Sequence, residues 1–196
     1  MQTTRHTLHP GVSLAVISGL ALFRVFAAMV PSAAVLGNFS PLGAMAMFSG
    51  AYFPDRVKAL SFPLVTLFLS DLVLTATVYA PARSGLLYGG WYLVYGTFAV
   101  MTFASGLMLR KVQAGSVFLA SLAVVTIHWL LADLPFHHGS PNLNFWANYS
   151  RLLVLAIPFE ARFLAATVVF SFVCFGAAEL FVKRFAAKPE SRGITY

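Results

Sequence analysis

Charge is scarce in this chain, and acid is scarcer than base. Only 10% of the 196 residues are charged, six Asp and Glu against thirteen Lys and Arg, where a soluble domain carries about 25%. That shortage all but excludes a water-soluble globule. Cysteine is nearly missing as well. Cys174 stands alone, so no internal disulfide forms, and its place in an apolar run reads as a buried structural thiol. There is no Gly-rich Walker loop, no G-x-S-x-G, no HExxH and no CxxC. ATP hydrolysis by a P-loop, the common hydrolase arrangements and a structural zinc site are therefore not expected. Heptads and zinc knuckles are lacking, so nothing marks a nucleic-acid reader. No run alternates apolar and polar residues in the manner of an outer-membrane barrel. Neither a catalytic group nor a cofactor nor a metal is expected.

What the chain does have is oil. Hydrophobic residues make up 59%, Phe alone contributes 19, and the mean hydropathy is +0.81. Such aromatic richness excludes disorder. A helix needs about 20 apolar residues to cross a hydrocarbon core of roughly 30 Å. Five segments are of that order: 12–36, 59–80, 91–109, 112–132 and 151–182. A sixth, 41–53, is short and rich in Gly, Ala and Met. The expected fold is all-α, a polytopic membrane bundle of six transmembrane helices with the second one short. The polar start, 1–11, carries Arg5, His6 and His9. The apolar stretch after it resembles a signal-peptide core but contains Arg24 and lacks a clear cleavage site, so it reads as a retained first helix.

The basic residues test this count independently. With the N-terminus cytoplasmic and the sides alternating, Arg5, Arg56, Lys58, Arg110, Lys111, Lys183, Arg184, Lys188 and Arg192 fall inside. Only Arg83 and Arg151 fall outside, and Arg24 and Arg162 lie within spans. That bias suits the reluctance of positive loops to translocate. The domain reading is then a cytoplasmic N-terminus at 1–11, one transmembrane domain at 12–182 and a cytoplasmic tail at 183–196. The expected location is the bacterial inner membrane, and the excess of base suits anionic headgroups. The outer loops, 81–90 and 133–150, are the longer ones. The second reads DLPFHHGSPNLNFWANYS, too aromatic for a linker and too polar for lipid, as a cover over an outward cavity would be.

Polar groups within the membrane are expensive and usually face a cavity or a partner. Asp71 lies mid-span in the third segment, and Arg24 and Arg162 are its available counter-charges. It reads either as half of a packing ion pair or as the floor of a substrate cavity open to the outside. Glu160 and Arg162, after the helix-kinking Pro158, form a second such group. Asn38, in the break 37–41, is either part of a capped turn that Ser40 and Pro41 begin or a ligand contact. His128 and Trp129 precede the adjacent pair His137 and His138, which lack the i, i+4 spacing of a helical metal site. Trp91, Tyr92, Trp129, Trp146 and Tyr149 suit an outer aromatic belt. Gly43, Ala44, Ala46 and Gly50, like the Ala15–Gly19 pair, allow close helix packing or docking of another membrane protein.

Three blocks carry a family resemblance: NFSPLGAMAMFSGAYF from Asn38, the PL…SDL run from Pro63, and AIPFEARFL from Ala156. With them the chain resembles a family of small, uncharacterised six-helix bacterial membrane proteins. That family is similar in layout to the substrate-binding S-components of energy-coupling-factor (ECF) vitamin transporters. The resemblance implies six helices, both termini cytoplasmic, and a vitamin site near the outer face covered by loops. More distantly the chain resembles solitary cobalamin-transporting S-components, which implies a corrinoid among the ligands and roles for Asp71, Tyr88 and Arg151. Their cobalt-ligating Cys has no counterpart in the 81–90 loop. The implied activity is uptake of a vitamin-like small molecule, alone or with an energising transmembrane and ATPase module. The substrate-binding residues expected are Asn38, Asp71, Tyr88, His128, Trp129, His137 and Arg151. The rival reading is a non-transporting accessory or scaffold protein of the membrane.

Overall fold

A computed structural model describes residues 8, 10–30, 39–53, 55–136 and 140–186. The described chain forms six α-helices: α1 (Pro10–Met29), α2 (Leu42–Tyr52), α3 (Arg56–Ala76), α4 (Trp91–Met108), α5 (Ala114–Ala132) and α6 (Phe145–Ala186). All but α2 are long and apolar enough to cross a membrane. Their surfaces are the reverse of a soluble protein's: Leu22, Phe26, Leu69, Leu119, Val154 and Leu180 are all exposed. Apolar surface on that scale requires a lipid solvent or a partner.

The 11 residues of α2 extend only about 17 Å at 1.5 Å per residue. From Gly43 to Tyr52 every one of them is buried, and α2 packs against each of the other five helices. Its small residues allow this. A Cβ at Gly43 would collide with the side chain of Thr167, and one at Gly50 with the backbone of Thr102 and Gly106 on α4. Phe48 and Tyr52 then fill the space against Phe175 on α6, with ring centroids 5.6 Å apart in both pairs.

Oil permits no unpaired hydroxyls without cost, and most are tied off locally. Thr66, Thr102, Ser105, Ser121 and Thr126 each donate to the carbonyl four residues earlier. Pro63 within α3 poses a harder problem. It lacks the N–H that would reach the carbonyl of Ala59, and Ser49 Oγ of α2 donates to that oxygen instead. A neighbouring helix thus repairs the proline's lost bond.

Cross-contacts fix the helix directions. Arg24 near the end of α1 meets Asp71 near the end of α3, so those two run parallel. Tyr95 near the start of α4 also reaches Asp71, which makes α4 antiparallel to α3. Tyr149 and Glu160 on α6 meet Leu130 and His128 on α5, again antiparallel. Tyr52 at the end of α2 meets Glu179 late in α6, at the end of the bundle where α3 starts. The end holding the α2–α3 and α4–α5 turns carries Arg56, Lys58, Arg110 and Lys111. At the other end a 3-10 turn (Ala80–Ala82) leads into a small antiparallel hairpin, β1 (Arg83–Ser84) with β2 (Leu87–Tyr88). Gly85 takes φ +85° there, and among the described residues no non-glycine has positive φ. A hairpin turn with glycine alone on the left-handed side is of type II′.

Two readings need correction. Residues 145–150 are helix rather than loop, because α6 begins at Phe145. Asn144 Oδ1 accepts from the amide of Ala147 as an N-terminal cap, and Asn148 ties back to Ser140 through both atoms of its amide. At α2, Pro41 occupies the N-cap position rather than the first turn and makes no side-chain cap bond. Ser40 Oγ reaches the Leu42 amide only at 3.4 Å.

Candidate functional site

The polar network around Asp71 draws on four elements. Its side chain is wholly buried, 0% exposed, and Arg24 Nη1 lies 2.6 Å from Oδ1. The same Nη1 donates to Ser70 Oγ at 2.8 Å, and Ser70 in turn donates to the carbonyl of Leu67. No hydrogen bond is aligned on Oδ1, so its contact with the guanidinium is chiefly coulombic. Oδ2 accepts two phenols, Tyr88 OH from the hairpin and Tyr95 OH from α4, each at 3.1 Å. Both rings are braced edge-on, Tyr88 against Tyr79 and Tyr95 against Trp91. Asp71 precedes the end of α3 by five residues, roughly 7 Å of helix. It therefore lies near one end of the bundle rather than in mid-span. The two phenols stand directly on the acid's free oxygen.

Burial first, and the Asp71 charge second, push the Tyr88 phenol well above its ordinary value of 10.0, with Arg24 opposing. Tyr88 therefore remains a donor throughout the physiological range. An enclosed acid and base of this kind attract strongly but gain little net stability, since both ions leave water. What the arrangement does chemically is tie a surface hairpin to a charged floor. One turn beyond Asp71, Thr75 Oγ1 is buried without a hydrogen bond, as is Thr97 Oγ1 on α4. Polar capacity at this end of α3 and α4 is thus left unspent.

A second polar group joins α5 to α6. His128 Nδ1 lies 2.8 Å from Glu160 Oε1, with side chains 26% and 12% exposed. Trp129 Nε1 donates to the carbonyl of Leu153, and Tyr149 OH to that of Leu130. The sequence pairing of Glu160 with Arg162 is corrected, because the partner of Glu160 is His128 and Arg162 is exposed. Among the described residues Arg24, not Arg162, is the cation that pairs with Asp71. Among the described residues no hydrogen bond or ion pair joins the His128 group to the Asp71 network.

Of the expected binding residues, the structure brings Asp71 and Tyr88 together and places His128 and Trp129 in the second group. Arg151 is exposed on α6. Asn38 and His137 lie outside the described residues. Sequence reasoning missed Tyr95, which sits one turn into an aromatic helix start and looks like one more belt residue. Its signal was spacing: Trp91 and Tyr92 suffice for the belt, and a tyrosine a turn deeper needs a partner for its hydroxyl.

Five helices long and apolar enough to cross a membrane mark a multi-pass α-helical membrane protein. Residues 8–189 match DUF6580, described as a family of unknown function, and the chain belongs to that family. No curated protein and no solved structure matches it.

Proposed function

We propose that this chain is a substrate-binding membrane protein of the S-component type, serving uptake of a vitamin-like small molecule across the bacterial inner membrane. The carrying observation is the Arg24–Asp71–Tyr88–Tyr95 network, in which a loop hairpin is latched onto a buried charge pair. Well-packed apolar residues would hold two helices together as well or better. The latch gives the acid a further use: when the hairpin swings away, Asp71, Arg24 and the unpartnered Thr75 and Thr97 hydroxyls form a polar floor for a ligand. The Asn38, Pro63 and Ala156 blocks resemble a six-helix membrane family whose size and layout are similar to those of S-components, which supports the same reading.

In this account α2 is the short second span of six, and both termini are cytoplasmic, because positive residues gather at the end holding the α2–α3 and α4–α5 turns. The hairpin then faces the periplasm. Without a Walker loop the chain needs either an energising ATPase module or a downhill gradient. A corrinoid is the less favoured ligand, since the hairpin loop has no Cys and His128 is engaged by Glu160.

One observation favours the rival reading of an accessory or scaffold protein: the Asp71 carboxylate is completely enclosed by protein. Purified protein titrated against a vitamin panel, followed by calorimetry, separates the two. The uptake reading expects one compound to bind saturably, with binding weakened at least tenfold by Asp71→Asn and by Tyr88→Phe. Absence of binding across the panel, together with uptake unaffected by either substitution, overturns it.

A further inference from the structure

At the basic end of the bundle a groove of about 300 Å³ opens between the end of α2, the start of α3 and the end of α4. Its floor is apolar and buried, formed by Phe53 and Ala59 beside the close contact of Gly50 with Gly106. Phe103 and Leu107, 49% and 45% exposed, stand on the rim. Two arginines complete the lining, Arg56 as the first residue of α3 and Arg110 just beyond α4. The Arg56 guanidinium sits 5.4 Å from the centre of the Phe103 ring, held by a cation–π contact. Among the described residues neither arginine has an acidic partner.

We propose that this groove binds one anionic phospholipid, its phosphodiester between Arg56 and Arg110 and the first part of an acyl chain along Phe103 and Leu107. Three features select that occupant. Both arginines stand where helices of spanning length end, the level at which lipid phosphates lie. Two unpaired guanidiniums fit the oxygens of a phosphate, and arginine is suited to such forked contacts. The apolar floor and rim give a free anion nothing to bury, whereas a lipid fills both halves of the groove. Basic pockets between transmembrane helices bind anionic headgroups by this division of labour.

The test uses full-length protein in neutral detergent, titrated with phosphatidylglycerol or phosphatidylcholine of identical chains and read by native mass spectrometry. Each arginine at a membrane surface contributes about fivefold, so phosphatidylglycerol should be retained about 25-fold better. Arg56→Gln with Arg110→Gln should erase that preference. Lys58→Gln with Lys111→Gln, at the same end but outside the groove, should change it less than twofold. Leu107→Trp, which leaves both charges and fills the groove, should weaken phosphatidylglycerol binding too, and it keeps the proposal testable should the arginine variant misfold. Equal retention of the two lipids, an equal loss in the lysine variant, wild-type binding by Leu107→Trp, or displacement of the lipid by millimolar glycerol phosphate would each overturn the proposal. The last would point to a free-anion site instead.

Discussion

Replacing Arg24 by Met leaves the Asp71 carboxylate buried opposite an uncharged chain, and the cost follows from the geometry. At 2.6 Å the gross attraction of the pair is about 6 kcal/mol at an effective dielectric near 20. The loss of hydration is several kcal/mol per ion, so the intact pair is close to neutral overall. Removing one partner abolishes the attraction but leaves the other ion dehydrated, which costs about 3–5 kcal/mol. Tyr88 and Tyr95 still donate to Oδ2 and hold the loss toward the lower end. The double variant Arg24→Met, Asp71→Leu removes both ions and should recover most of the lost stability. Thermal unfolding in detergent, followed by the monodisperse fraction after heating, compares wild type with Arg24→Met, Asp71→Leu and the double variant. Single variants as stable as wild type, or a double variant worse than the sum of the singles, would refute the reasoning.

Four further outcomes follow. Ser49→Ala leaves the Ala59 carbonyl without a donor beside Pro63 and should lower stability by about 1–3 kcal/mol in the same assay. Gly50→Ala should cost about 1–3 kcal/mol, since its Cβ meets α4 backbone that cannot yield. Gly19→Ala and Gly96→Ala meet nothing within 4 Å and should be neutral or stabilising by up to about 1 kcal/mol, as alanine favours helix. The folded-state pKa of Tyr88 is raised above 10.0, so its contribution is complete below pH 10 and declines as pH rises past that value. The stability gap between wild type and Tyr88→Phe should therefore be constant from pH 6 to 9 and shrink above 10, as a pH series of melting curves would detect.

The spanning helices were legible because lipid imposes a length that few other constraints share. Their ends were less so. The start of α6 was hidden by FWANYS, whose amides and aromatics suggest a loop, although Asn144 was a usable cap signal. That Asp71 needs a cation was also legible, since an acid in oil must pair. Which cation was not, because Arg24 and Arg162 differ in facing rather than in hydropathy, and only packing turns one inward. Tyr88 was reached through a resemblance, whereas the hairpin that carries it has strands of two residues, too short to leave a pattern. Ser49's repair of the carbonyl freed by Pro63 joins residues ten apart across a helix turn, and no local rule announces it.

Hydrogen exchange of the Arg83–Tyr88 hairpin, with and without a compound retained from the vitamin panel, bears most directly on the latch. The account predicts measurable opening in the free protein, faster exchange in Tyr88→Phe, and marked slowing once the compound is bound. Identical protection in all three samples would mean that the hairpin never uncovers Asp71, and the proposed ligand floor would then be structural packing alone.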